Sequence, residues 1–247
     1  MDDSIHHGSS GFTLLELLVS MAVGIIVLGA MVSTFLIQRK SYATQEQVTQ
    51  LNQNARAAMD LMSREIRMAG YRVEGIDAIS EDSNSSKIAF LGDVDSDVIT
   101  AIDTNPANAS ETSISVNLRD NDDYIAESDY IYISDGIHSE LIHVDETEAF
   151  STSGEPDTIN LREGLANSYA VGSLVQTVEE VTYELDGTTL ERNGYPVAEN
   201  IESLNFTYGA NTVTIRLTAR TSKIDPGLPG DGYRRKTLTT TVMLRNR

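Results

Sequence analysis

An α+β fold, with one long N-terminal α-helix packed on a mostly antiparallel β-sheet head, is predicted by three features of the 247-residue sequence. Residues 12–37 form a largely apolar run whose one charge is the carboxylate of Glu16. Beyond them Val48, Leu51, Ala55, Met59, Met62, Ile66 and Ala69 recur at spacings of three and four, the stripe of an amphipathic helix. From residue 87 onward most periodic segments alternate with period two and are rich in Val, Ile, Thr and Tyr, the composition of strands. The chain therefore divides into residues 1–11, an apolar helix at 12–37, an amphipathic helix at 38–70 and a β-rich head at 71–247.

Residues 1–10, MDDSIHHGSS, are polar and lack the basic start, short apolar core and small-residue cleavage site of a secretory signal. The run that follows would extend roughly 39 Å as a helix, more than the ~30 Å hydrocarbon layer of a bilayer. Arg39 and Lys40 come after it and Asp2 and Asp3 before it, so the positive-inside rule alone would leave the head in the cytoplasm. An ionisable group inside such a run costs on the order of a few kcal/mol unless it is partnered, so Glu16 is a functional candidate. Thr13 and Glu16 also match the T-x-x-E capping box, in which the glutamate closes onto first-turn backbone donors. Both readings of Glu16 stand at this point.

No proline interrupts residues 12–69, and Gly70 is a suitable stop, so the two helical segments read as one helix of about 58 residues, on the order of 85 Å. Arg56, Asp60 and Arg64 are four apart off the apolar stripe and can pair weakly. Strands are predicted at 87–91, 98–102, 112–118, 129–134, 139–144, 158–161, 173–185, 188–192, 201–208, 212–221 and 236–244. Asp186-Gly187 supplies a hairpin turn, and GLPGDG at 227–232 is a loop.

The formal charge of −19 is unevenly spread. Residues 73–215 contain only Lys87, Arg119, Arg162 and Arg192 as cations, whereas the last 32 residues hold eight cations against Asp225 and Asp231. An acidic head argues against sequence-independent nucleic-acid binding, which needs clustered cations. The absence of cysteine excludes disulfides, thiolate metal sites and a cysteine nucleophile.

The other chemical candidates are weak. Asp93, Asp95 and Asp97 open like a calcium loop, but Val98 and Thr104 stand where an EF-hand needs glycine and glutamate. Asp120, Asp122 and Asp123 form a second acidic run. Calcium at these head loops is the one cofactor the sequence suggests, and solvated loops account for them better; no other cofactor or metal is expected. His138 and His143, five apart near a strand, would face opposite sides of a sheet. Arg234, Arg235 and Lys236 read as strand-end charges. No serine, histidine and acid form a nucleophile motif, and no cofactor fingerprint is present, so the chain reads as a non-enzyme with no catalytic residues.

GFTLLE at 11–16 followed by some twenty apolar residues resembles the class III signal of type IV pilins and type II secretion pseudopilins. The segments at 41–71, 181–194 (VTYELDGTTLERNG), 200–209 (NIESLNFTYG) and 234–247 are similar to minor pilins of the PilW type, and J-type pseudopilins share the general plan. Residues 73–172 match nothing in that resemblance. The leader also departs from the family in lacking Lys or Arg, and the membrane half lacks the proline family members often carry, offering only Gly24 and Gly29 as weak points.

The resemblance implies that 1–11 is a leader removed by a prepilin peptidase between Gly11 and Phe12. It further implies methylation of the Phe12 amine and a role for Glu16 in drawing subunits into a filament through that amine on a neighbour. It points to a minor pilin that primes or caps type IV pilus assembly. The implied partners are other minor pilins, the major pilin, the inner-membrane assembly platform and a pilus-tip adhesin. The protein would sit in the inner membrane with its head in the periplasm and, after assembly, in the pilus at the cell surface. A type II secretion pseudopilin and an uncleaved, membrane-anchored binding or adhesive domain are the alternatives.

Overall fold

The computed structural model describes residues 13–92, 98–118, 125, 130–147 and 157–244. The chain divides into two compact units, Met1–Thr49 and Gln50–Arg247. Helix α1 (Leu14–Met68) is unbroken over 55 residues, two short of the predicted start and one short of the predicted end. No residue from Thr13 to Gln50 is buried. The hydroxyls of Ser20, Ser33, Thr34, Thr44 and Thr49 donate to the carbonyl four residues back, at 2.7–3.0 Å, so each is satisfied within its own helix.

In the second unit α1 changes character. Leu51, Ala55, Ala58, Met59, Met62 and Ile66 are buried, and with Ala69 they form the apolar stripe expected from the spacing. The helix ends where the sequence places its stop. Gly70 has φ +74°, the left-handed conformation glycine adopts at no steric cost, and its N–H donates to the Leu91 carbonyl at 2.8 Å.

Leu91 lies in β1 (Ile88–Gly92), the first of nine strands in one sheet. The others are β2 (Ile99–Ala101), β3 (Ser113–Val116), β4 (Tyr130–Ser134), β5 (Ser139–Thr147), β6 (Asp157–Leu161), β7 (Leu174–Asp186), β8 (Thr189–Arg192) and β9 (Tyr195–Glu199). β10 (Ile201–Tyr208), β11 (Thr212–Arg220) and β12 (Arg235–Met243) make a second, three-stranded sheet. Among the described residues every strand pairing is antiparallel. Eleven strands fall within three residues of their predicted bounds. β9 was not anticipated, because Pro196 removes a ladder donor and marks YPVAE as a non-strand; it is tolerated on an outer strand paired only to β8. Gly187, at φ +58°, turns β7 into β8 as the Asp-Gly pair predicts.

β7 organises the head. Its N-terminal half is flanked by β2 and β4 and its C-terminal half by β1 and β8. Val175, Gln176, Thr177 and Val178 are buried in succession, so both faces of that half are covered. A single antiparallel bridge, Ile102 to Val116, joins the end of β2 to β3, with Asp103 N–H donating to Ser115 at 2.9 Å. The bridge closes β2, β7, β4, β5, β6 and β3 into a small barrel, built, apart from β7, from the stretch 73–172 that the resemblance left unplaced. Its interior is filled by its own core, including Ile114, Ile131, Ile133, Val144, Ile159 and Val175. A separate core holds the α1 stripe against Phe90, Val181, Tyr183 and Leu190 of the large sheet and against Phe206, Ile215, Leu217 and Val242 of the small one.

The outer face of the three-stranded sheet is polar and regular. Register places Thr207, Thr214 and Thr241 in one row, Asn205, Arg216 and Thr239 in the next, and Ser203, Thr218 and Thr237 in the third. Hydroxyls meet across the strands at 2.9 Å for Thr214 and Thr241 and 3.0 Å for Thr218 and Thr237.

Candidate functional site

The membrane-length segment of α1 starts with a capping box. Glu16 N–H donates to Thr13 Oγ1 at 3.3 Å, while Thr13 N–H donates to Glu16 Oε2 at 3.4 Å. Both residues are exposed, so the carboxylate closes its own helix and still faces outward. The helix is long and apolar enough to cross a membrane, and the window that meets that test is wholly unburied. Leu14, Leu15, Ile25, Ile26 and Ile37 are each at least two-thirds exposed. An idealised Cβ on Gly24 or Gly29 would meet nothing within 4 Å, so both present bare backbone to whatever packs there.

At the C-terminal end of the apolar run, the Arg39 guanidinium lies 5.9 Å from the Phe35 ring centroid, next to Lys40 and the exposed Tyr42. Gly11 and Phe12, the cleavage and methylation candidates, lie outside the described residues, as do both aspartate runs, 93–97 and 120–123.

The head contains a polar site that sequence reasoning missed. Glu65 is buried within the apolar stripe of α1, between Met62 and Ile66. Its Oε2 accepts the Tyr183 hydroxyl at 2.7 Å and Arg192 Nε at 2.9 Å. Arg192 also pairs with Glu179 at 3.1 Å, and Asn193 Nδ2 donates to the same carboxylate at 3.1 Å. Burial, reinforced by the Glu65 carboxylate, pushes the Tyr183 phenol far above its ordinary range. Burial works against the Arg192 charge, but Glu65 and Glu179 overcome it and hold the guanidinium protonated. The signal was present in the sequence: an acid three residues after Met62 and next to Ile66, at the stripe's own spacing.

The remaining candidates resolve into structural roles. His138 Nδ1 lies 3.4 Å from Asp135 Oδ2 in the turn before β5, and the His143 ring lies against Tyr130 with centroids 3.7 Å apart and the planes tilted by 38°. Among the described residues no group of three or more His, Asp or Glu is arranged to hold a metal. Arg234 pairs with Asp225 at 2.9 Å, and Arg235 clamps both Glu202 and Asp231, closing the loop that contains GLPGDG. The Arg235 guanidinium is the main reason Glu202 lies below the usual carboxylate range and Asp231 is lowered to about 2. These arginines are therefore held by the loop they close, as the strand-end reading expects.

Comparison with known proteins matches the two halves of this description. The Prokaryotic N-terminal methylation motif matches residues 6–32, which contain Gly11, Phe12 and the capped start of α1. The family described as Prepilin peptidase-dependent protein B matches residues 44–244, nearly the whole head and the stripe that packs on it. No curated protein and no solved structure matches the chain. Such pilin-like families are structural, their dependence on prepilin peptidase implies processing by that enzyme, and the apolar helix joined to the methylation motif is an inner-membrane anchor. The match over residues 44–244 covers well over half of the sequence, and the chain belongs to the prepilin peptidase-dependent protein B family.

Proposed function

We propose that this chain is a minor pilin of the PilW type that primes or caps type IV pilus assembly. It is cut between Gly11 and Phe12, methylated on the Phe12 amine, and held in the inner membrane with its head in the periplasm. It then passes into a complex with other minor pilins and the major pilin, which starts or tips the filament at the cell surface, next to the assembly platform and a tip adhesin. The role is structural, with no reaction catalysed.

The observation that supports this reading best is that the apolar face of α1 is wholly unburied from Leu14 to Ile37 while carrying one outward carboxylate. Lipid satisfies the apolar side chains, whereas the capping box gives Glu16 hydrogen bonds but no opposite charge. Its attraction to a neighbour's Phe12 amine is weak in water and strong where packed helices exclude it. Pairing therefore strengthens as the bundle forms, which sets the register of incoming subunits.

The test is direct. The Glu16→Ala chain should be processed normally yet be absent from sheared pili, and normal incorporation would sink the pairing role. Mass spectrometry of the native protein should find a mature chain beginning at methylated Phe12; retention of residues 1–11 would exclude it. A periplasm-active reporter fused to the head should be active, and cytoplasmic activity would overturn the orientation.

A further inference from the structure

We propose that the outer face of the β10–β12 sheet docks on the acidic barrel of a second copy of this chain. The net charge of the whole protein is concentrated in one lobe. Residues 93–180 hold twenty carboxylates against Arg119 and Arg162, while residues 201–247 hold eight cations against Glu202, Asp225 and Asp231. Those three carboxylates are already engaged: Arg235 takes Glu202 and Asp231, and Arg234 takes Asp225. Among the described residues Arg216, Lys223 and Lys236 are left outside these ion pairs.

Arg216 is the central one. It is exposed in the middle row of the face, between Asn205 and Thr239, and among the described residues no carboxylate lies within ion-pair distance of it. Lys223 and Lys236 are exposed at the end of the sheet, and Arg220 lies over the Tyr233 ring at 4.5 Å. The side chains around Arg216 are short hydroxyls and an amide, so another protein surface can approach closely. β12 is the outermost strand of the sheet.

The complementary surface is on the same molecule. On the described part of the barrel Glu111, Asp135, Asp145 and Glu163 are exposed, and Arg162 is the one cation. A basic face and an acidic lobe on one chain attract between copies, steer their encounter and set its orientation. The two surfaces differ, so the contact is head-to-tail and leaves one of each open for a further subunit. It requires neither cleavage at Gly11 nor the carboxylate of Glu16, so it stands or falls separately from the reading above.

The experiment is sedimentation of the full chain in detergent micelles, with near-UV circular dichroism to verify folding of each variant. The wild type should self-associate at low ionic strength and lose at least tenfold in association in 1 M NaCl, where screening shrinks to about 3 Å. Arg216→Glu, and independently Thr239→Glu beside it, should each be monomeric. The barrel variant Asp145→Lys/Glu163→Lys should also be monomeric. Mixing Arg216→Glu with the barrel variant should restore association that stops at dimers, because each partner keeps one working surface. A monomeric wild type, unchanged association of any single-surface variant, or no heterodimer on mixing would overturn the proposal.

Discussion

The Glu65 carboxylate of α1 accepts the Tyr183 hydroxyl of β7 at 2.7 Å, and the same oxygen takes Arg192 Nε of β8 at 2.9 Å. A helix sliding by one turn on an all-apolar seam would meet similar surface; one carrying this acid must return to the phenol and guanidinium. Glu65→Ala leaves the buried Tyr183 hydroxyl without its acceptor and Arg192 with Glu179 alone, and should cost about 2–3 kcal/mol, whereas Tyr183→Phe loses one hydrogen bond and should cost about 1–2 kcal/mol. Urea unfolding of the full chain in micelles checks both values. Equal, near-zero effects would mean the network holds nothing in place.

Helix capping and subunit pairing can be separated at Glu16. Glutamine keeps the capping-box geometry toward Thr13 but carries no charge. Glu16→Gln should therefore leave processing intact yet be excluded from pili as fully as Glu16→Ala. Incorporation at wild-type level would assign Glu16 to the cap alone.

Gly70 can be tested by shape. Its φ of +74° is strained for a β-branched residue, and its N–H is the link from the end of α1 to Leu91. Gly70→Val should destabilise the head by about 1–2 kcal/mol, and Gly70→Asn, which tolerates the left-handed region, by less. Denaturation midpoints of the two variants should rank in that order.

Acid should release the Arg235 clamp. Asp231 is lowered from 3.8 to about 2, chiefly by Arg235. A depressed carboxylate contributes stability that is fully present above its unfolded pKa and is lost as pH falls through the folded one, here from about 4 down to about 2. Asp231→Asn should thus be less stable than wild type at pH 7, with the gap closing across that window. Acid titrations of the two chains by tryptophan-free methods such as tyrosine fluorescence would show it; a gap independent of pH would contradict the ionic origin.

Local structure was legible because it is written locally. The spacing from Val48 to Ala69, the stop at Gly70 and the Asp186-Gly187 turn each rest on residues within a few positions of one another. The membrane-length run and its capping box were equally plain in GFTLLE. What pairs with what was not legible. The barrel is closed by one bridge between Ile102 and Val116, across fourteen residues with no turn motif to announce it, and β7 shares its flanks among four strands. Glu65 was hidden for a related reason. Its partners lie 118 and 127 residues away, so nothing near it in the chain marks it as internal.

The pairing of β1 with β7 has a consequence for how this chain is made. Phe90 finds Val181 only after about ninety further residues have been synthesised, roughly 5–20 s at ordinary translation rates. Throughout that interval IAFLG has no strand to join, and the apolar stripe of α1 lacks both β7–β8 and the three-stranded sheet that enclose it. The barrel, whose strands are supplied almost entirely by the intervening stretch, can mature first and bring β7 into position. A nascent chain arrested before Tyr183 would therefore hold a finished lobe beside an unfinished hydrophobic seam, the state in which a protease or holdase would find it.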